Sequence, residues 1–252
     1  MILRLAGMAI IAILAAAPVA ACPPPSDTLL FHSCWGQGHL EILLLPEDLP
    51  LPEPTGAGLS LMVTGAYTAR DNRDGELPKP VGMFVHGGTV INPNLGRMDG
   101  VLLVDPATGS PELHHRARLR IGGRDYDLRQ IDQRRAFLAE ATMRGLSVLQ
   151  SHLLIVEGKV DVNSQNDAPV FVRRLLFTDE LGFGVYQTVW PRTLQAAARQ
   201  LADALAPRMA LNLDMGSYNY CQREEGGVRS GCGGLDRDAT GKLSNLLVLV
   251  HQ

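Results

Sequence analysis

Residues Thr193–Cys221, TLQAAARQLADALAPRMALNLDMGSYNYC, decide the fold. Thr193 is placed to cap a helix, and Leu194, Ala198, Leu201 and Leu205 recur on one helical face. Pro207 ends that helix because it has no N–H for the next backbone hydrogen bond. Met209 to Leu213 then forms a short apolar strand, and Asp214 sits where the strand leaves its sheet. A helix laid against a buried strand defines a layered domain. An acid at the strand end, followed by Gly216 and Ser217, is one way to present a carboxylate to a pocket. The competing reading is an aspartate that folds back on its own turn.

Working outward, strands are expected at His39–Leu45, Leu59–Val63, Val81–Val85 and Gly100–Val104. Leu119–Leu128 turns around Gly122-Gly123 as a hairpin. Asp132–Arg144 reads as a second helix, capped by Asp132 and closed by Gly145. Ser147–Val156 and Lys159–Val162 form a hairpin across Glu157-Gly158, and Val170–Phe177 and Gly184–Val189 are further strands. Many strands with two helices predict an α+β fold, a mixed and largely antiparallel sheet core in a single domain over residues 22–252.

The chain has 252 residues, 46% hydrophobic and 19% charged, with a formal net charge of −3. That is long enough for a self-sufficient core, and the charge argues against nucleic acid as a partner. Arg4, the apolar run Ala9–Ala17 and Val19-Ala20-Ala21 read as a signal peptide over residues 1–21, so export to the periplasm or medium is expected. Val19-Ala20-Ala21-Cys22 also fits a lipoprotein signal, and the membrane becomes a partner only if Cys22 is acylated. The four cysteines allow three pairings. Cys22 with Cys34 and Cys221 with Cys232 is the sequence-local choice, suited to an oxidising compartment.

Several motifs carry no chemistry. Asp71-Asn72-Arg73-Asp74-Gly75 and Asp236-Arg237-Asp238 with Gly241 lack the spacing of a calcium loop. His114-His115 falls on an expected surface loop, and Gly36-Gln37-Gly38 lacks the setting of a dinucleotide site. No metal ligand set and no cofactor are expected.

Five blocks together resemble the phosphodiester glycosidase domain family, which includes the uncovering enzyme that frees mannose 6-phosphate. They are Ala210-Leu211-Asn212-Leu213-Asp214-Met215-Gly216-Ser217, Leu149–Lys159, Arg173-Arg174 through Gly182, Pro80–Gly88 and Asn245–Val250. The chain departs from the family pattern at three places. Thr64-Gly65-Ala66-Tyr67-Thr68 stands where the family begins its early block with asparagine. His152 and Leu153 replace a glycine and a proline after Gln150-Ser151, and Met215 follows Asp214 in place of glycine.

The resemblance implies cleavage of a sugar–phosphate diester at the anomeric carbon, on envelope or exopolysaccharide material. Asp214 would be nucleophile or base. One of Arg173 and Arg174, which point to opposite faces of a strand, would clamp the phosphate. Gly216 and Ser217 would offer backbone N–H groups to the same anion, Asn212 would orient Asp214, and Thr64, Gly65, Tyr67 and Gln150 would line the substrate. The partner is then a glycan or sugar phosphodiester. The competing reading is a lapsed relative that binds an envelope glycan or protein; a structural envelope lipoprotein is a third.

Overall fold

The computed structural model describes residues 22–52, 58–69, 77–163, 168–215 and 218–251. The expected signal segment 1–21, the loop 71–75, and Gly216 and Ser217 lie outside them. Where one sheet core was expected, there are three sheets and a small hairpin, and every pair of named strands is antiparallel. The architecture is α+β, a single compact domain.

A six-stranded sheet runs in the order Leu29–Cys34, Gly182–Gln187, Arg174–Thr178, Met209–Asn212, Leu153–Val156 and Lys159–Val160. A five-stranded sheet contains Thr89–Asn92, Phe84–His86, Ser147–Ser151, Gly100–Val104 and Pro111–His115. The other five-stranded sheet is Val228–Gly231, Cys221–Glu225, Ser60–Thr64, Asn245–His251 and Gly38–Leu44.

Side-chain alternation explains the layering, because successive residues of a strand face opposite ways. Leu175 and Phe177 pack with Ala197, Ala198 and Leu201 of the helix Leu194–Leu205, whereas Leu176 between them joins the central core. Val148 likewise packs with Phe137 and Ala141 of the helix Ile131–Met143, while Leu149 turns to the centre. The central core thus lies among the three sheets, with Phe31, Val63, Leu102, Leu211 and Leu247 fully buried. Each such side chain contributes roughly 1.5–3 kcal/mol.

The helix and strand at Leu194–Leu205 and Met209–Asn212 form close to where the sequence predicts them. Thr193 Oγ1 accepts the N–H of Ala196 at 3.2 Å, and the helix closes on Ala206 in the left-handed conformation. The other helix begins at Ile131, with Gln130 as its cap residue; Asp132 lies inside the first turn and makes no cap. His114 and His115 lie on the strand Pro111–His115 and not on a loop. Their side chains diverge there: His114 Nε2 meets Glu112 at 3.1 Å, and His115 Nδ1 accepts from Ala117 N–H.

The segment 147–156 departs most from expectation. It is two strands in two sheets, and the chain crosses between them at His152. Both expected disulfides form, Cys22–Cys34 and Cys221–Cys232. Among the described residues no helix is long and apolar enough to cross a membrane.

Candidate functional site

The crossover at His152 fixes the site. Here the ends of Ser60–Thr64, Ser147–Ser151 and Met209–Asn212 and the start of Asn245–His251 meet. Asn212 N–H donates to the His152 carbonyl at 2.8 Å, and Ser151 Oγ donates to the Asn212 carbonyl. Two residues on, Asp214 N–H donates to the Gly65 carbonyl at 2.9 Å. The Asp214 carboxylate is only 5% exposed. Its Oδ2 accepts the Thr68 N–H at 3.1 Å and its Oδ1 accepts the N–H of Met215 at 2.9 Å. The strand-end acid therefore folds onto its own turn, the competing expectation, and also binds the backbone of the 64–68 segment.

That segment is clamped from the far side. Asn245 Oδ1 accepts the Ala66 N–H at 2.7 Å while its Nδ2 donates to the Ala66 carbonyl at 3.2 Å. Gly65 is required by this closeness, since a Cβ there would lie 2.4 Å from Asn245 Oδ1. Ser244 Oγ is 3.0 Å from Thr68 Oγ1. The sequence reading missed Ser244 and Asn245 as site residues. Their signal was two polar residues opening the otherwise apolar strand Asn245–Val250.

Tyr67 lies at the centre. Asn212 Nδ2 donates to its phenol oxygen, and the His152 ring meets it edge-on with centroids 5.9 Å apart. Burial, and then the negative charge of Asp214, push the phenol up to about 12, so it is a neutral hydrogen-bonding group at ordinary pH. Asn212 Nδ2 also donates to the Leu213 carbonyl, which fixes the amide's orientation. Its Oδ1 is buried with no hydrogen-bond partner among the described residues. A buried acceptor without a donor is costly. His152 is held below the ordinary histidine range by burial, against the opposing pull of Asp99. Asp99, whose Oδ1 accepts the Leu153 N–H at 2.9 Å, is a second carboxylate near the site that the sequence reading did not single out.

The two arginines separate as strand alternation requires. Arg174 is fully buried; its guanidinium donates to Tyr220 O at 3.0 Å, Gln187 Oε1 at 2.6 and 3.1 Å, and Asn219 Oδ1 at 3.0 Å. All these acceptors are neutral, and burial draws its pKa down to about 9. It pins residues 219–220 in place. Arg173 is the arginine beside the site: its charge acts on the Tyr67 phenol. Its Nε donates to the Arg192 carbonyl at 3.0 Å and its Nη2 to the Pro169 carbonyl at 2.7 Å.

Two expected lining residues are committed to backbone. Thr64 Oγ1 donates to the Tyr218 carbonyl and accepts the Tyr220 N–H. Gln150 accepts from Met83 and Gly96 N–H and donates to the Met98 carbonyl, so its amide holds the 82–98 segment. Among the described residues no three His, Cys, Asp or Glu side chains gather as a metal cluster.

A separate groove of about 1280 Å³, lined by Trp35, Glu112, Asp179, Glu180 and Arg208 among others, opens at the other end of the six-stranded sheet. Thr178 and Met209 border it, whereas Arg174 and Asn212 end the same strands near Asp214. Its charged residues are largely spent on one another, in pairs such as Glu157–Arg208 and Glu112–His114. None of the residues expected to act lies in it.

No family model matches the chain, and no curated protein does. Among solved structures it is similar to the catalytic domain of zebrafish N-acetylglucosamine-1-phosphodiester alpha-N-acetylglucosaminidase, auto-inhibited by its pro-peptide. Identity is 12%, with 86% of this chain and 73% of that chain covered and a TM-score of 0.49. It is also similar to a hypothetical protein from Synechocystis at 15% identity, covering 86% of this chain and 57% of that one, with a TM-score of 0.40. Likeness at this level concerns the path of the backbone and says nothing about which side chains act.

Proposed function

We propose that this protein is an exported hydrolase of glycosyl phosphodiesters, cleaving the bond between the anomeric carbon and the phosphate oxygen. The observation that carries the reading is the gathering of Asp214, Tyr67 and Asn212, with Arg173 in electrostatic reach, from segments remote in sequence. The motif resemblance names the same residues. Two disulfides fit an oxidising compartment.

The chemistry suits the residues. As the C1–O bond breaks, positive charge develops on the sugar ring, and the Asp214 carboxylate stabilises it as nucleophile or as base toward water. The electron pair leaves with the phosphate, a weak base that needs little protonation, so Arg173 can stabilise the leaving group by charge alone. The neutral Tyr67 phenol and the Asn212 Oδ1 hold sugar hydroxyls. Water supplies the hydroxyl to the sugar and the proton to the phosphate monoester. Gly216 and Ser217 remain in the proposal as anion-binding backbone beside Asp214.

One observation favours a second reading, a lapsed enzyme that binds an envelope glycan. Thr64 replaces the family asparagine, and its hydroxyl is spent on Tyr218 and Tyr220. Purified protein incubated with a panel of sugar-1-phosphate diesters separates the two. Release of phosphate monoester, with neutral glycosides of the same sugars left intact, is the expected result. Binding without release across the panel establishes the second reading.

A further inference from the structure

Beside Arg173 the chain carries four large apolar side chains in water. Trp190 is 68% exposed and Phe171 46%, and Val170 and Val189 are also exposed. Their geometry comes from an irregularity in pairing. Thr188 N–H donates to the Arg173 carbonyl at 2.9 Å, and Phe171 and Arg192 exchange both backbone hydrogen bonds, at 3.2 and 2.7 Å. Between those two points one side has a single residue, Val172, and the other has Val189, Trp190 and Pro191. The surplus must bulge, and it carries Trp190 outward.

Arg173 joins this bulge to the site. Its guanidinium lies over the Phe171 ring, 5.0 Å from the centroid, and bonds the carbonyls of Pro169 and Arg192 on both limbs. Leu175, two residues on, pairs with Asn212, so Arg173 shares the strand face of that site residue. Exposed aromatic faces and a phosphate-clamping cation are therefore held as one piece. The described residues of the two limbs, 168–173 and 187–192, contain no carboxylate that would repel an anion.

Resting on the phosphodiester reading, we propose that Trp190 and Phe171 form a stacking platform for a second sugar, on the phosphate side of the cleaved bond. The phosphate then sits on Arg173 and the distal ring on the aromatic faces. A pyranose ring offers an apolar C–H face to an aromatic ring while its hydroxyls stay in water, which suits a solvent-exposed tryptophan. A bilayer is disfavoured as occupant. The chain's net charge is −3, and Arg192 is the one exposed basic residue on the described limbs, short of the basic cluster that an anionic membrane attracts.

Equilibrium binding tests the platform apart from turnover. The probes are sugar C-phosphonate analogues, in which a methylene replaces the scissile oxygen. One is a simple methyl ester and the other an ester to a second sugar. The wild-type protein is expected to bind the two-sugar probe more tightly, and Trp190→Ala to weaken that probe about tenfold, with Trp190→Phe restoring much of the loss. Equal affinity of wild type for the two probes, or no effect of Trp190→Ala on the two-sugar probe, overturns the platform. So does Trp190-dependent sedimentation with phosphatidylglycerol vesicles in place of binding to the two-sugar probe. A protein that hydrolyses nothing yet shows the Trp190-dependent preference would sink the hydrolase reading and leave the platform standing.

Discussion

At the scale of single residues, the roles proposed for Asp214, Arg173 and Arg174 can be tested one at a time. Replacing Asp214 by Asn keeps the side chain's shape and removes its charge. Phosphodiester turnover should fall at least about 100-fold, the lower end for a positioned acid–base group. The fold should survive, since the amide oxygen can still accept from Thr68. Steady-state kinetics beside circular dichroism check this, and an unchanged kcat would show that Asp214 does no chemistry. The arginine pair gives a sharper contrast. Arg174→Met strips donors from Tyr220, Asn219 and Gln187 in a dry interior, and should cost at least about 3 kcal/mol in urea unfolding. Arg174→Lys should recover little, because one ammonium cannot span a set of acceptors fitted to a planar fork. Arg173→Ala should instead raise KM for the phosphodiester with a much smaller effect on stability. If the two variants trade these phenotypes, their roles here are reversed.

At the scale of secondary-structure elements, a local prediction stands on the helix Leu194–Leu205. Thr193→Ala removes the acceptor for Ala196 N–H and should cost about 1 kcal/mol, seen as a lower melting temperature with activity kept. This helix was legible because its signals are local: a cap, a repeating apolar face and a terminating proline. The strand Gly100–Val104 and the hairpin around Gly122-Gly123 were legible for the same reason. The break at His152 was not. SVLQSHLLIV is a near-continuous apolar run with no Gly or Pro to punctuate it, and what divides it is a change of sheet, a tertiary fact. Likewise Cys221–Glu225 and Val228–Gly231 escaped notice. CQREE and VRSG carry no apolar alternation: CQREE buries only Cys221 and Glu224, and VRSG, at the sheet edge, is exposed throughout.

The site itself was half legible. Asp214 was singled out by position and motif, and Tyr67 was named only as one of several groups lining the substrate. That Gln150 and Thr64 would be consumed by backbone groups, and that Arg174 would be sealed inside, depends on which strands become neighbours.

At the scale of the whole molecule, one buried and one half-buried histidine set an acid limit to stability. Burial lowers the pKa of His32, against the opposing pull of Asp179, and lowers that of His152, so the folded state favours their neutral forms. In the unfolded chain they protonate near 6.5. Their contribution is full above that pH and is lost as pH falls from about 6.5 through the depressed folded values. Melting temperature should therefore drop between pH 7 and pH 5, and His32→Gln should flatten part of that slope. A slope unaltered by the substitution would show that His32 takes no part. The Cys221–Cys232 bridge offers another global test. Arg174 and Gln187 both reach toward the Cys232 carbonyl, which links this loop to the site's frame. Removing the bridge by the double Cys→Ser change should cost roughly 2–4 kcal/mol and reduce activity, measured by denaturant unfolding and by turnover.

The clamp of Asn245 on Ala66 joins residues 179 positions apart. A ribosome delivers them at very different moments. For most of that interval the growing chain holds Tyr67, and later Asp214, with nothing to seat them. A fragment halted at residue 243 would contain every proposed catalytic side chain and still be inert. Competence therefore arrives as a single late event, when the strand Asn245–His251 slots between its two neighbours. On the reading proposed above, an exported chain would make the passage inactive and switch on only at its destination.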